Sequence, residues 1–359
     1  MRSKRRVHLV YPSGAGIGCP QAIGRHLAQH LAQRFDVQVH AWDEPQAIQA
    51  QPGDLLLGHP HPSPWTVFRL SLGQSAWSKV VMLCPYNADE RQVDWLDPVV
   101  EKVDRYLAIT GPYWAKRLPR SPQARWAPKF QALDLAVDRQ DYPRLKKGFA
   151  RPGQRRFLYI GHAGWPKNTA LLSRLALARR DWDFAWIGGS DASAIPGVKA
   201  LGRLDLSLPA SKQLVRGFDF LITLGTADAN PSTILEAMAW GLVPVCSPQS
   251  GYEGLEGIPN VPIDDFEAAL AALDGLQAAP ESVLKGWVRQ NDRRLKEQFH
   301  WERFCAQVEK ALLTLAGPAL APHTLGSWAR LRSHAWRGPN APWRPRWALK
   351  ALRDRWRQG

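Results

Sequence analysis

Short apolar segments alternate with helix-like segments over the second half of the chain, and this alternation limits the folds open to it. The apolar segments are Arg155–Gly161, Phe184–Gly189, Val198–Gly202, Phe218–Leu224 and Val243–Cys246. Helical patterns run from Asn168 to Arg180, around Ser211–Arg216 and after Pro231. Strands that alternate with helices predict a parallel, doubly wound α/β sheet. Ligands of such sheets bind beyond the carboxyl ends of the strands.

The segment after the strand Phe218–Leu224 reads DANPSTILEAMAWG and predicts a short helix. Asn230 is a favoured N-cap residue, and Pro231 suits the first helical position because its missing N–H costs nothing there. Gly241 supplies the left-handed residue that ends the helix. We therefore expect about ten helical residues whose amino end points back toward the end of the preceding strand.

The amino end of this helix has the features of an anion site. The free N–H groups of Ser232 and Thr233 attract anions, and phosphate in particular. Glu236 lies four residues after Ser232 and shares its face, so its carboxylate can accept hydrogen bonds from sugar hydroxyls. The alternative interpretation is an ordinary strand–helix unit with a solvated Glu236. At the same edge of the predicted sheet we expect His162, Lys167 and Asp228.

These residues resemble the C-terminal domain of the GT-B glycosyltransferases, specifically the retaining family called glycosyltransferase group 1 or family 4. The family has a strand, Gly-Arg, four residues and a Lys, which corresponds here to Gly161-His162 with Lys167. Its later pair of Glu residues, eight positions apart, corresponds to Asp228 and Glu236, and Glu236 lies within ILEAMAWGLVPV. Its closing FSWER corresponds to FHWER at 299–303. The resemblance covers roughly residues 150–315.

The resemblance implies a role for each matched residue. His162 and Lys167 would neutralise the diphosphate of the donor, Asp228 would contact the transferred sugar, and Glu236 would bind the ribose. Asn230, Ser232 and Thr233 complete the predicted nucleotide-sugar site. The resemblance also implies that no metal and no cofactor is required. A nucleotide diphosphate sugar would be the co-substrate. His in place of Arg and Asp in place of Glu leave the donor sugar open.

The first half predicts a second α/β unit. The strand Val7–Tyr11 precedes a glycine-rich loop and a helical run from about Pro20 to Arg34. The resemblance places Gly14, Gly16 and Gly18 of this loop opposite the donor phosphate and the acceptor. A nicotinamide-binding fold is the alternative for this half alone, since the strand Val37–Trp42 is followed by Asp43.

The segment His59-Pro60-His61-Pro62 follows the strand Asp54–Gly58. We expect His59 to lie in the cleft near the transferred sugar, because the family often has a histidine in a comparable place. A metal site is the alternative for two histidines one residue apart, but no third ligand lies near in sequence.

We predict two Rossmann-like, doubly wound domains that face each other across a cleft, followed by a basic, Trp-rich tail. Residues 1–138 form the acceptor-side domain, 139–153 a linker rich in charge, Pro and Gly, 154–316 the nucleotide-sugar domain, and 317–359 the tail. A chain of 359 residues with 45% hydrophobic content is enough for two cores.

The charge is concentrated in the tail. The whole chain has a formal net charge of +15, and the tail has nine Lys/Arg, one acid and five tryptophans, a composition typical of segments that bind anionic membranes. Packing against the N-terminal domain is the alternative. Nucleic-acid binding would suit the charge but does not explain Asp228 and Glu236, and no known binding motif is present.

The sequence therefore predicts a glycosyltransferase that moves a sugar from a nucleotide diphosphate sugar to a hydroxyl, with retention, on a glycan or lipid-linked acceptor of surface polysaccharide or glycolipid synthesis. We expect it in the cytoplasm, at the inner face of the membrane. Four scattered cysteines without a CxxC pair fit a reducing compartment. A sugar-nucleotide epimerase or a phosphorylase on the same fold is the alternative.

Overall fold

A computed structural model describes residues 4–12, 18–87, 93–189, 195–317 and 320. Gly14, Gly16 and nearly all of the predicted tail lie outside the described residues.

The first half of the described chain forms one parallel sheet. Its strands are β1 (Arg6–Val10), β2 (Asp36–His40), β3 (Leu55–Gly58), β4 (Lys79–Pro85), β5 (Arg105–Ile109) and β6 (Phe130–Leu133), in the order β2-β1-β3-β4-β5-β6. All of the pairings among these strands are parallel. Every residue of β3 is buried, as expected for a strand covered on both faces.

Helices connect the strands of this sheet and cover its faces. They are Cys19–Leu31, Val67–Ser71, Asp97–Val100 and Pro112–Arg117, with short 3₁₀ segments at Asp94–Leu96, Leu118–Arg120 and Ala124–Trp126. The helix Cys19–Leu31 begins with Pro20 in its first turn and buries Ile23, Leu27 and Leu31 against the sheet.

The second half forms another parallel sheet. Its strands are β7 (Arg156–Ile160), β8 (Asp183–Ile187), β9 (Lys199–Ala200), β10 (Phe220–Thr223) and β11 (Val243–Cys246), in the order β11-β10-β7-β8-β9. Its helices are Thr169–Ala178, Pro209–Arg216, Ser232–Trp240, Phe266–Ala278, Glu281–Glu297 and Trp301–Leu313, and 3₁₀ segments lie at Trp165–Lys167 and Pro248–Ser250. Two parallel sheets with helical connections confirm the predicted α/β class with two doubly wound units.

The last helix, Trp301–Leu313, returns to the first sheet. Trp301 stacks on His26 with ring centroids 4.4 Å apart, and Glu309 accepts a hydrogen bond from His30 at 2.8 Å. A segment from the end of the chain therefore packs on the helix that follows β1. The predicted domain boundaries at residues 138, 154 and 316 remain predictions.

The two sheets meet at the carboxyl ends of their strands. Beyond β4, the side-chain amide of Asn87 donates to the carbonyl of Ala227 at 3.3 Å. Beyond β5, a Cβ on Gly111 would lie 1.5 Å from the carbonyl oxygen of Gly251, so the two backbones touch where only glycine fits. Both sets of strand ends, where ligands of such sheets bind, therefore face one another.

Candidate functional site

Lys167 and Asp228 form an ion pair where the two halves face. Lys167 ends the short 3₁₀ segment after β7, and Asp228 lies in the loop between β10 and the helix Ser232–Trp240. The ammonium Nζ lies 2.5 Å from Oδ2 of Asp228, and the two side chains are 19% and 14% exposed. The N–H of Thr226 donates to the carbonyl of Pro166 at 2.9 Å, which ties the two loops together. The structure thus brings together two residues that lie 61 positions apart.

His162 lies in the same loop as Lys167. Burial and the neighbouring Lys167 lower the pKa of His162, while Asp228 opposes this shift, so the imidazole is neutral at pH 7. Its Nδ1 accepts a hydrogen bond from the N–H of Gly164 at 2.9 Å. The ring proton is therefore on Nε2, where it can donate to an anionic oxygen.

The helix Ser232–Trp240 begins beside this pair. Its N-cap is Pro231, and Gly241 ends it in the left-handed region with φ of 82°. Within the described chain, no backbone carbonyl accepts from the N–H of Ser232 or Thr233, so these donors are available to an anion. The predicted ending is confirmed, and the helix begins one residue later than its Asn-Pro sequence suggests.

Asn230 is not the N-cap, and this part of the prediction is wrong. The residue is buried in the left-handed region with φ of 55°. Its Oδ1 accepts from the N–H of Leu135 at 3.0 Å, and its own N–H donates to the carbonyl of Ser250 at 3.1 Å. A buried backbone N–H needs a partner, and Asn tolerates positive φ, so the side chain bridges the two halves instead of capping its own helix.

Glu236 lies on the face of the helix that carries Ser232, but its carboxylate is buried. Desolvation raises the pKa of Glu236 to about 7, opposed by side-chain hydrogen bonds to Ser232 and Tyr142. These residues line a small pocket together with Cys19 and Trp301. The solvated carboxylate of the alternative interpretation is therefore wrong for Glu236.

Gly18, the last residue of the glycine-rich loop, directly precedes Cys19, which lines this pocket. Gly18 caps the helix Cys19–Leu31, and its carbonyl accepts from the N–H of Ala22 at 2.9 Å. The next residue, Cys19, is close enough to Glu236 for the carboxylate to contribute to the raised thiol pKa, after desolvation. The end of the loop after β1 thus lies next to the amino end of the helix Ser232–Trp240.

His59 lies at the carboxyl end of β3. Burial, with a smaller contribution from His61, lowers the pKa of His59 to about 3. Its Nδ1 accepts from the N–H of His61 at 3.0 Å, and its Nε2 lies 3.4 Å from the sulfur of Cys84. The described contacts place His59 in the wall of the first sheet, and none of them joins it to Lys167 or Asp228.

The described residues contain no group of three or more His, Cys, Asp or Glu side chains arranged to hold a metal ion. Asp183, in the DWD sequence 181–183, pairs with Arg156 at 2.5 Å at the amino ends of β8 and β7, away from the facing strand ends.

Among the helices of the described ranges, none combines the length and hydropathy needed to cross a bilayer.

Sequence reasoning missed Tyr142. This residue belongs to the segment predicted as a linker, yet it is buried and hydrogen-bonded to Glu236, which contributes to its raised pKa after desolvation. Its ring lies 5.4 Å from that of Trp240. A lone tyrosine between Asp141 and Pro143 was the only signal, and it does not distinguish a buried partner from an exposed linker residue.

The structure is similar to several solved glycosyltransferase structures. The comparison with a sucrose-phosphate synthase from Thermosynechococcus elongatus gives a TM-score of 0.64 and 14% identity, over 86% of this chain and 98% of that one. A glycosyltransferase from Rickettsia africae gives 0.57 and 10%, over 86% and 97%. The catalytic domain of starch synthase IV from Arabidopsis thaliana, bound to ADP and acarbose, gives 0.56 and 11%, over 86% and 99%.

No model of a protein family and no curated protein sequence matches the chain. At 10–14% identity the structural similarity establishes the fold. The chain has the two-domain GT-B fold of these glycosyltransferases, as the sequence motifs predict.

Proposed function

We propose that the protein is a glycosyltransferase that moves a sugar from a nucleotide diphosphate sugar to a hydroxyl group. The observation that carries the proposal is the Lys167–Asp228 pair, which precedes the N–H groups of Ser232 and Thr233, for which the described residues provide no backbone acceptor. A donor site of this kind needs a cation and amides for the diphosphate and a carboxylate for sugar hydroxyls. All three lie at the facing strand ends of a GT-B fold.

The charges in this site suit the bond that breaks. When the bond from the anomeric carbon to the diphosphate oxygen cleaves, negative charge develops on the leaving oxygen, and a preorganised cation stabilises it. The ammonium of Lys167, now held by Asp228, would shift to the diphosphate. The released carboxylate of Asp228 would accept hydrogen bonds from the transferred sugar, and the Nε2–H of His162 would donate a further bond to the phosphate.

Glu236 is proposed to bind the ribose of the nucleotide. Two neighbouring hydroxyls can donate to one carboxylate. The support is its place one turn into the helix Ser232–Trp240, in a pocket that adjoins the end of the glycine-rich loop. Asn230 supports this site indirectly, because it fixes the loop before the helix. Gly14, Gly16 and Gly18 are proposed to face the donor, and His59 the transferred sugar, on the motif resemblance.

The remaining parts of the proposal rest on the sequence. Retention of configuration and independence of metal follow from the resemblance to family 4. The tail, with nine Lys/Arg against one acid, supports a cytoplasmic enzyme at an anionic membrane surface and a lipid-linked or polysaccharide acceptor. Two solved structures with a similar fold contain a nucleoside diphosphate: UDP in a complex of TarM and ADP in the complex of starch synthase IV.

A thermal-shift panel of nucleoside diphosphates and their sugars tests the donor site. A ligand at a hundred times its dissociation constant adds about 2.7 kcal/mol of stability. Binding should persist in EDTA. If none of the panel raises the melting temperature, the donor site is wrong.

Product analysis with the best donor then separates the reaction classes. Transfer to an added hydroxyl acceptor supports a glycosyltransferase. An epimerised nucleotide sugar, or release of a sugar phosphate in the presence of inorganic phosphate, would instead identify the epimerase or the phosphorylase. Loss of transfer on chelation, restored by manganese or magnesium, would contradict the metal-independent mechanism.

A further inference from the structure

One tryptophan in the loop after β3 is exposed although its surroundings are tightly held. Trp65 is 71% exposed, and no other Phe, Tyr or Trp is exposed among those whose exposure the structure gives. Most tryptophans of the described chain are buried or half-buried, because the large apolar ring loses contact with water on folding. An aromatic ring left in solvent on a fixed loop calls for an explanation outside the core.

The loop His59–Thr66 is rigid. It contains prolines at positions 60, 62 and 64, which fix their φ angles. Hydrogen bonds within the loop hold the other residues: the N–H of Ser63 donates to Nδ1 of His61 at 3.2 Å, and the hydroxyl of Thr66 donates to the carbonyl of Ser63 at 3.0 Å. Arg69 donates to the carbonyl of Pro62 at 2.9 Å. A ligand that stacks on Trp65 would therefore pay little to order the loop.

His61 gives this loop a hydrogen-bonding group. It is a non-glycine residue with φ of 50°, a conformation that carries a backbone cost and is often found at binding sites. Because its Nδ1 accepts from Ser63, the ring proton is on Nε2, and no described residue accepts from that atom. Burial is the largest cause that lowers the pKa of His61, so the ring is a neutral donor at pH 7.

The loop lies at the edge of the first sheet that faces the second. β3 lies directly beside β4, and Asn87 beyond β4 contacts Ala227. On its other side the loop touches the residues after β2, because the ring of Trp42 lies 5.7 Å from that of His61. Trp65 and His61 therefore stand on the same side of the first sheet as the proposed donor site.

The chemistry of the surroundings indicates a sugar ring. Asp43 raises the pKa of His61 and Arg69 lowers it, so one anion and one cation lie near the ring. The two opposite charges favour neither a phosphate nor a sulfate and suit a neutral ligand. An acyl chain needs a continuous apolar surface, whereas the residues that precede Trp65 along the loop are His61, Ser63 and prolines. The carbon-bound hydrogens of a pyranose can stack on an indole face while its hydroxyls accept from an imidazole N–H.

We propose that Trp65 and His61 form an acceptor subsite for a neutral carbohydrate ring. The acceptor role rests on the proposed glycosyltransferase function, but binding of the sugar can be measured without turnover. Trp65 supplies the stacking surface, and His61 fixes the orientation of the ring through a hydroxyl.

The test uses the full-length protein on an array of immobilised neutral pyranose oligosaccharides. Trp65→Ala should weaken the sugar binding shown by the wild-type chain by about three- to tenfold, and Trp65→Phe should retain most of it. Leu208→Ala is the matched control, because Leu208 is also exposed, at 52%, but belongs to the second half. His61→Gln should bind more weakly than the wild type, because its flexible amide does not hold the donor in the same place.

Two results would overturn the proposal: equal binding by Trp65→Ala and wild type, or no binding of any neutral sugar by the wild type. Nucleotide thermal shifts measured in parallel keep the two proposals apart. Trp65→Ala should keep the shifts of the wild type, whereas absence of any shift in the wild type counts against the donor site and leaves the sugar-binding result unaffected.

Discussion

At the scale of single residues, the Lys167–Asp228 pair shows how the ligand-free site is held. Each charge is mostly shielded from water, so each compensates the desolvation of the other. The sequence predicted both residues from their spacing, but contact over 61 positions depends on the fold of both loops and not on any local pattern. Tyr142 and the buried state of Glu236 were beyond prediction for the same reason.

We expect Lys167→Ala to lower the turnover of sugar transfer by about 10²–10³-fold, because the leaving diphosphate loses its cation. Steady-state kinetics with the best donor measures this. Lys285→Ala is the control. Lys285 is 48% exposed and pairs with Glu281 of its own helix, Glu281–Glu297, which carries none of the proposed donor-site residues. Unchanged turnover of Lys167→Ala, in a variant that melts like the wild type, would exclude Lys167 from the donor site.

The raised pKa of Glu236 predicts that the free energy of unfolding depends on pH. Burial raises its pKa to about 7, above that of an exposed Glu, so the folded state holds the proton more tightly than the unfolded chain. Its contribution is therefore most favourable below about pH 4.5, decreases as pH rises, and is lowest above about pH 7. Glu236→Gln should remove this decrease, on the order of 2–3 kcal/mol.

Urea unfolding of wild type and Glu236→Gln between pH 5 and 8 measures this difference, and subtraction cancels the groups that both proteins share. Parallel curves for the two proteins would show that Glu236 titrates in the folded state as it does in water. The same titration bears on function, because nucleotide affinity should rise with pH as the carboxylate ionises.

At the scale of elements, a strong local pattern of apolar residues was enough to predict most strands and their bounds. The strand Val243–Cys246 has the predicted bounds, and the other predicted strands differ by a residue or two at their ends. β4 and β6 were not predicted. The apolar run Val80–Cys84 could have been found by its length, whereas β6 has only four residues, three of them buried incompletely. The prediction of Asn230 as N-cap is wrong because the hydrogen bond from Leu135 to its side chain outweighs its capping preference.

The close approach of Gly111 to Gly251 gives a prediction for the interface between the two halves. A methyl group on Gly111 would collide with backbone atoms and not with a flexible side chain. We expect Gly111→Ala to lower the free energy of unfolding by about 1–3 kcal/mol or to separate the strand ends. Small-angle scattering and chemical unfolding measure the two effects.

Gly275→Ala is a matched control for this substitution. Gly275 lies inside the helix Phe266–Ala278, and an added Cβ there meets nothing within 4 Å. It should raise stability by about 0.5–1 kcal/mol, since alanine favours the helix. A Gly111→Ala protein with the stability and scattering curve of the wild type would mean that the two backbones are not in contact in solution.

At the scale of the whole molecule, the chain crosses between its halves more than once. After the second sheet, the helix Trp301–Leu313 returns to the helix behind β1. Beyond it, the N–H of Gly317 donates to the carbonyl of Asp104 at 3.0 Å, and Leu320 packs beside the core of the first sheet. The sequence predicted two units but not this return. The pattern of apolar residues in a helix indicates which face is buried, but not which of the two sheets that face packs on.

This path determines how the tail must be tested. The segment 321–359 contains all nine Lys/Arg and all five Trp of the predicted tail, whereas Gly317 and Leu320 belong to the described fold. Removing residues 321–359 should therefore preserve folding and nucleotide binding. It should also release the protein from vesicles of phosphatidylserine and phosphatidylcholine, since each Lys or Arg near an anionic surface contributes about 1 kcal/mol.

Co-sedimentation of full-length and truncated protein with these vesicles, beside a melting curve for each, measures both effects. Vesicles of phosphatidylcholine alone are the control, because binding that depends on charge should be weak there and on the anionic vesicles should decrease as salt is raised. If the truncated protein still sediments with the anionic vesicles, the described domains hold the membrane-binding surface. If it melts earlier or loses its nucleotide, the tail stabilises the two halves.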